Sequence, residues 1–224
     1  MLLALKTRCD LYLVGCNPYL ELFKGSKNCF NYWPKTHKRM NFKKLKTNLA
    51  FTKNLFTTGA ISETSREVEI EICSRLPQGD RKIIVEYGMG HGNITREILK
   101  NIAPTSKVYA FEVNTAFCQH VKEEIQDSRL AIINDSAEHV KKLVKERAVD
   151  AFIASIPFTF LSNEVGARII QDSYDMLAAG GYYSQVLYTR FNYKKFVKIF
   201  DECSITKIPN IPTEYIYHCK KIKS

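Results

Sequence analysis

The stretch Lys82-Ile83-Ile84-Val85-Glu86-Tyr87-Gly88-Met89-Gly90-His91-Gly92-Asn93-Ile94-Thr95 constrains this chain more than any other. A β-branched apolar run ends in a carboxylate, three glycines follow at alternate positions, and a helical pattern begins at Asn93. Strand, tight turn and helix are the expected elements. Glycine lets a backbone adopt positive φ and approach a ligand closely, and the following helix offers unpaired N–H groups at its N-terminus. The pattern E-x-G-x-G-x-G departs from the G-x-G-x-x-G dinucleotide fingerprint. A carboxylate at Glu86 repels a pyrophosphate and suits a ligand with a cationic amine, so S-adenosylmethionine is favoured over a nicotinamide dinucleotide.

The rest of the chain repeats the alternation. Thr64 and Glu67 form a capping box for a helix through Val68, Ile72 and Leu76 that closes at Pro77 and Gly79. Ile94, Ile98, Leu99 and Ile102 give the next helix, and Val108 to Val113 a second strand carrying Glu112 near its end, 24 positions after Gly88. That offset matches the acidic residue that takes ribose hydroxyls in nucleotide-binding α/β folds. Further strands are expected at Leu130 to Ile133, Val149 to Ala154 and Tyr182 to Tyr188. Helices are expected between them, the last stopping at Gly180-Gly181. A helix over Phe191 to Phe200 and a hairpin of Ile205 to Ile208 with Tyr215 to Ile222 close the chain. Strands alternating with helices imply a parallel sheet covered on both faces, with ligands at the carboxyl ends of its strands. Glu86 to Gly92, Glu112, Asp135, Ser155 to Phe158 and Tyr188 all fall there.

Charge is unevenly placed. The net charge is +10, yet Leu22 to Ser62 contains no Asp or Glu and nine Lys or Arg, while residues 63 to 224 hold 22 basic and 21 acidic residues. The body is nearly neutral and the N-terminal arm basic, which attracts nucleic-acid phosphates or an anionic lipid surface. Within that arm Phe42, Leu45, Leu49 and Phe56 recur at helical spacing among lysines, so residues 40–57 are expected to form a basic amphipathic helix. It docks either on its own domain or in a membrane interface. The preference for Lys over Arg tilts away from RNA. Residues 1–39 read as an extension with a linker-like end and contain no apolar run long enough to span a membrane, and Met40 is an alternative start. The seven cysteines are scattered, with no C-x-x-C pair, and suggest a reducing, cytoplasmic setting with neither a zinc site nor a disulfide framework.

Across residues 57 to 224 the pattern resembles the class I S-adenosylmethionine-dependent methyltransferases. The resemblance implies an α/β, three-layer Rossmann-like fold, with a seven-stranded, mostly parallel sheet, an antiparallel last strand and helices on both faces. Residues 58–224 would be the methyltransferase domain. It also implies that Glu86, Gly88, Gly90 and Gly92 form the cofactor turn, that Glu112 with Val113 takes the ribose, that Asp135 and Ser136 meet the adenine, and that Ser155 to Phe158 face the methyl group. No metal and no stable protein partner are implied.

Two branches compete. Bacterial phospholipid N-methyltransferases resemble the chain in the basic helix followed by Gly59-Ala60-Ile61, in Ser155-x-Pro157, in Ser184-Gln185 through Tyr188, and in Asn210-x-Pro212 leading to Tyr217. Ribosomal RNA adenine dimethyltransferases share the glycine turn and a motif like Ser155-Ile156-Pro157-Phe158, but theirs usually begins with Asn. An adenine N6 lone pair is delocalised, and an Asn oxygen that accepts its N–H helps to localise it; an alkyl amine, once deprotonated, asks mainly for in-line placement. Phosphatidylethanolamine is therefore the favoured acceptor, methylated at the inner membrane face, with an RNA adenine as the alternative and a non-catalytic binding module as a third reading. For the lipid reading, Ser155, Pro157, Phe158 and Tyr188 are the candidate acceptor-side residues, Tyr87 and Tyr188 the candidates to orient or receive the amine proton, and Phe158 the candidate cation–π partner.

Overall fold

The computed structural model describes residues 64–146, 148–158 and 161–223. The expected amphipathic helix over residues 40–57 and the extension over residues 1–39 lie outside them. The elements run α1 (Arg66–Ile72), β1 (Ile83–Tyr87), α2 (Asn93–Asn101), β2 (Lys107–Phe111), α3 (Thr115–Glu124), β3 (Leu130–Ile133), a 3-10 turn (Ala137–His139) continuing into α4 (Val140–Leu143), β4 (Val149–Ala154), α5 (Asn163–Met176), β5 (Leu177–Leu187), α6 (Tyr193–Val197), β6 (Glu202–Ile208) and β7 (Glu214–Lys220).

The seven strands form one sheet in the order β3-β2-β1-β4-β5-β7-β6. Five are parallel, and β7 pairs antiparallel with both β5 and β6. Strand order reverses between β1 and β4, the switch point at which α/β sheets open a crevice at their carboxyl ends.

Strand alternation sorts the core into two layers. On β1, Ile84 packs with Val68, Ile72, Ile94 and Ile98 of α1 and α2. Val85 and Tyr87 turn to the opposite face, against Phe152, Phe158, Ile169 and Phe196. The same alternation separates Val108 from Phe111 on β2 and Ile216 from Tyr217 on β7. Met89, just past β1, joins Ala110, Cys118 and Val121 to seat α3.

Several local expectations are corrected. The cap of α1 is Ser65, whose Oγ accepts the Val68 N–H, and not Thr64; the helix ends at Ile72, short of Leu76. The segment 177–181 is strand, not the end of a helix: α5 stops at Met176 and β5 begins at once. Gly180 N donates to the Lys221 carbonyl and Lys221 N to the Gly181 carbonyl, and a Cβ at Gly181 would stand 2.7 Å from the Asp150 carbonyl oxygen. Gly181 thus lets β5 lie close against β4, where the end of a helix was expected. The last helix is only Tyr193–Val197, and the hairpin strands begin earlier than the apolar pattern, at Glu202 and Glu214.

Candidate active site

β1 carries Glu86 to its tip on the same face as α2, and the carboxylate is 1% exposed. Thr95, in the first turn of α2, donates its hydroxyl to Glu86 Oε2 at 2.7 Å. The other oxygen, Oε1, is buried with no hydrogen-bond partner among the described residues. Burial, offset in part by the Thr95 bond and reinforced by the nearby Glu112 carboxylate, pushes Glu86 up to about 8. A buried carboxylate with a free lone pair is costly, and such orphans call for an explanation.

The turn after β1 is held by its neighbours. Gly88 and Met89 donate their N–H groups to the Phe111 carbonyl at the end of β2 (2.9 and 3.2 Å), and Gly92 N donates to the Met89 carbonyl. All three glycines have positive φ: 79° at Gly88, 53° at Gly90 and 82° at Gly92. A Cβ at Gly88 would meet Ile156 Cγ2 at 3.0 Å and Ser155 Oγ at 3.2 Å, and one at Gly92 would meet Ile125 and Val121 of the α3 region at 3.0–3.1 Å. At Gly90 nothing lies within 4 Å. Gly88 and Gly92 are therefore closed by packing, and Gly90 faces open space. Helix α2 begins at Gly92 with no side chain capping it, which leaves its first amides available to a polar ligand group.

Glu112 follows β2 and is 5% exposed. Its Oε2 accepts the Gly90 N–H at 3.1 Å and its Oε1 the Asn114 N–H at 2.8 Å. Burial raises its pKa, although these backbone bonds oppose the rise. Each oxygen keeps a second lone pair, so the carboxylate both shapes the turn and can still accept a hydroxyl. Val113 is half-buried beside it.

Beyond β3, Asp135 Oδ1 accepts from its neighbour's amide, Ser136 N, at 2.7 Å and bonds His139 Nδ1 at 2.8 Å. The bond to His139 holds its carboxyl below the usual range. Ser136 caps the 3-10 turn by accepting the Glu138 N–H. Asn134 has no place in the sequence-based site, yet it ties the tips together: its Nδ2 donates to the Glu112 carbonyl and its Oδ1 accepts the Thr115 hydroxyl, both at 2.8 Å.

At the tip of β4, Ser155 N donates to the Tyr87 carbonyl and its hydroxyl donates to the Gly88 carbonyl at 2.6 Å. Ser155 is thus fixed against the glycine turn. Gln185 on β5 donates to the Ile156 carbonyl at 3.1 Å, which fastens the 155–158 loop to the next strand. Pro157 is half-buried. Phe158 is 3% exposed, with its ring edge-on to Phe196 at 5.7 Å and against Gly166; that ring is committed to core packing, which removes it as a partner for a cationic head. Tyr87 is likewise turned into the core, where it bonds Ser173 at 3.1 Å, because it alternates with Glu86 along β1. Tyr188, one residue past β5, is 44% exposed, and burial with the Glu214 charge raises its phenol.

The arrangement therefore brings Glu86, Gly90 and Glu112 together, links Ser155 to the same turn through Gly88, and places Asp135 and Ser136 at the neighbouring tip. Sequence reasoning missed Thr95, nine residues after Glu86. The signal was there: a helix starting directly after the turn lays its first inward side chain over the strand's last one on that face. A cavity of about 660 Å³ lies between α3 and β3, lined by residues that include Gln119, Lys122, Ile125 and Leu130 and reaching Thr115 and Asn134. Among the described residues no three His, Cys, Asp or Glu side chains group as a metal site, and no helix is long and apolar enough to cross a membrane.

A family model described as a methyltransferase domain matches residues 84–181. With the seven-stranded sheet and the glycine turn, this match supports a class I S-adenosylmethionine-dependent methyltransferase domain. Among curated relatives, the chain is similar to the ornithine lipid N-methyltransferase of Singulisphaera acidiphila, at 21% identity over 154 residues, covering 66% of this chain and 80% of the relative. It is also similar to ribosomal RNA small subunit methyltransferase A of Mycoplasmopsis synoviae, at 30% identity over 80 residues, but this covers only 36% of this chain and 30% of the relative. Two solved structures share the fold. An rRNA methylase from Streptococcus thermophilus has a TM-score of 0.55 at 19% identity, covering 73% of this chain and all of that one. A Streptococcus mutans protein solved in complex with SAH has a TM-score of 0.53 at 18% identity, covering 71% and 99%.

Proposed function

We propose that the chain transfers a methyl group from S-adenosylmethionine to the amine of a membrane lipid headgroup, with phosphatidylethanolamine as the first candidate. In this reading Glu86 Oε1 takes the cofactor's ammonium, the open face of Gly90 admits its backbone-hugging portion, Glu112 with Val113 takes ribose hydroxyls, and Asp135 with Ser136 borders the adenine. The unpartnered buried oxygen of Glu86 fits such a ligand, because an ammonium gives it the bond that the fold withholds. When bound, the cofactor supplies an electrophilic methyl on a sulfonium.

The chain's own contribution is placement. Ser155 braces the tip of β4 against the cofactor turn through Gly88, and Gln185 holds the Ile156 carbonyl, so the two loops that flank the acceptor are fixed relative to each other. Holding two reactants in line can supply about 7–11 kcal/mol of a barrier. The phenol of Tyr188 keeps its proton at neutral pH, since its pKa is raised; its role is to orient the amine by hydrogen bonding, and the proton leaves through water at the exposed edge.

The observation that carries the lipid reading over an RNA base is Ser155 itself. Its hydroxyl donates to the Gly88 carbonyl, so its oxygen is held against the glycine turn, and the position carries no side-chain amide of the kind that helps to localise an adenine lone pair. The lipid-methylating relative also aligns over far more of the chain than the ribosomal one. The test offers purified protein radiolabelled cofactor with either phosphatidylethanolamine liposomes or ribosomal particles. Label in the lipid fraction is expected; label confined to RNA refutes the acceptor.

A further inference from the structure

The carboxyl edge of the sheet carries apolar side chains that the core does not use. Phe191 is 89% exposed, Ile211 is 103% exposed on the same relative scale, and Tyr188 is 44% exposed. Topology brings the loops that carry these residues to one edge of the sheet. β5 and β7 pair out to Leu187 opposite Tyr215, so the loop leaving β5 and the loop entering β7 emerge together. The Tyr217 hydroxyl donates to the Thr189 carbonyl at 2.6 Å, and Asn210 Nδ2 donates to Glu214 Oε2 at 2.7 Å.

Both loops are held in place. Tyr193 donates its amide to the Arg190 carbonyl and its hydroxyl to the Cys203 carbonyl, and Asn192, next to Phe191, is buried. Phe191 is thus presented to solvent by an anchored turn. Arg190 and Lys194, in and just after the loop that leaves β5, and Lys207, opposite Tyr215 near the end of β6, are exposed, while Glu214 is buried and hydrogen-bonded. The rim lies next to the acceptor side of the site, because Gln185, two residues before the end of β5, is the group that holds the β4 loop.

Protruding apolar tips with exposed cations match an interface in which hydrocarbon enters the acyl boundary and the cations meet lipid phosphates. A single-stranded nucleic acid asks instead for aromatic faces on which bases can stack, and Ile211 has none. We infer that this rim, Phe191 and Ile211 with Arg190, Lys194 and Lys207, seats the protein on an anionic bilayer and holds the tips of β4 and β5 against the headgroups. A headgroup amine then reaches the site without leaving the membrane. The inference rests on the lipid-amine reading above and adds the surface through which that acceptor arrives.

The test uses the full chain and vesicles of phosphatidylglycerol with phosphatidylethanolamine, with pure phosphatidylcholine vesicles for comparison. Phe191→Glu combined with Ile211→Glu is expected to weaken flotation with the anionic vesicles by about tenfold or more, while calorimetric affinity for S-adenosylmethionine stays within about twofold because neither residue touches the cofactor turn. Lys194→Glu with Lys207→Glu is expected to weaken binding to the anionic vesicles and leave the phosphatidylcholine control unchanged. In the wild type, amide exchange over residues 188–192 and 209–213 is expected to slow when anionic vesicles are added. Flotation of the apolar double variant at wild-type affinity overturns the seat, and the lipid reading survives if lipid is still labelled. Self-association that the same variant abolishes, with no vesicle binding by the wild type, gives the patch to a second copy and also overturns the seat. Label in RNA alone sinks the acceptor reading itself, whatever the vesicles show.

Discussion

Gly88, Gly90 and Gly92 share a left-handed backbone, yet alanine would fail differently at each. The φ penalty for an L-residue there is about 1–2 kcal/mol. Gly90→Ala pays only that, since its Cβ meets nothing within 4 Å; it is expected to lose little stability and much cofactor affinity. Gly88→Ala adds a methyl 3.0 Å from Ile156 and 3.2 Å from Ser155, so overpacking raises the loss to about 2–5 kcal/mol. Urea denaturation and calorimetric titration of the two variants separate these cases, and the reverse order of stabilities contradicts the assignment of Gly90 as the open position. Glu86 is the residue most legible in the sequence, because a carboxylate just before a glycine turn is chemically conspicuous. The loss of Phe158 to the core was not legible: a motif gives a residue's place on a loop, but the direction of its ring is decided by α5, where Gly166 leaves room for it.

At the scale of elements, α1 is fastened to the far strands by a polar cluster. Glu71 Oε1 accepts the Thr206 hydroxyl at 2.7 Å and bonds His218 Nε2 at 3.2 Å, while Ser184 bonds His218 Nδ1 at 2.8 Å. His218 is 2% exposed, and burial lowers its pKa, so the imidazole is neutral near pH 7 and both its nitrogens are satisfied. Glu71→Ala removes a partner from both His218 and Thr206 and is expected to cost about 1–3 kcal/mol in urea denaturation; a wild-type midpoint contradicts this account of how α1 is held. None of this was legible, since the four residues span 147 positions and each alone is an ordinary polar side chain. Elements with strong local signals were legible to within a residue or so: α2 starts at Asn93, Asn114 caps α3, and β3 and β4 match their apolar runs. Those set by tertiary contact were not. The Leu177–Gly181 segment looks like a helix end and turn, and becomes strand only because Asp150 and Lys221 lie against it.

For the whole molecule, the alternation of strands and helices made the three-layer sheet legible, and with it the edge at which a ligand binds. Charge told less. The excess of positive charge sits in the arm before residue 63, whereas the apolar rim of Phe191 and Ile211 was invisible, because both residues occur in stretches that read as ordinary helix and loop. In the proposed function the cofactor lies across the tips of β1 and β2 with its ammonium on Glu86, and proton linkage reports on that contact directly. Burial keeps Glu86 protonated in the free protein up to about pH 8; a bound cation favours the carboxylate, so binding below that pH expels a proton and affinity rises as pH approaches 8. The deciding measurement is calorimetry of S-adenosylmethionine binding at pH 7 in two buffers of different ionisation enthalpy. The expected result is release of close to one proton by the wild type and none by Glu86→Gln, with weaker binding in the variant; equal proton release and equal affinity in both would contradict the placement of the ammonium on Glu86.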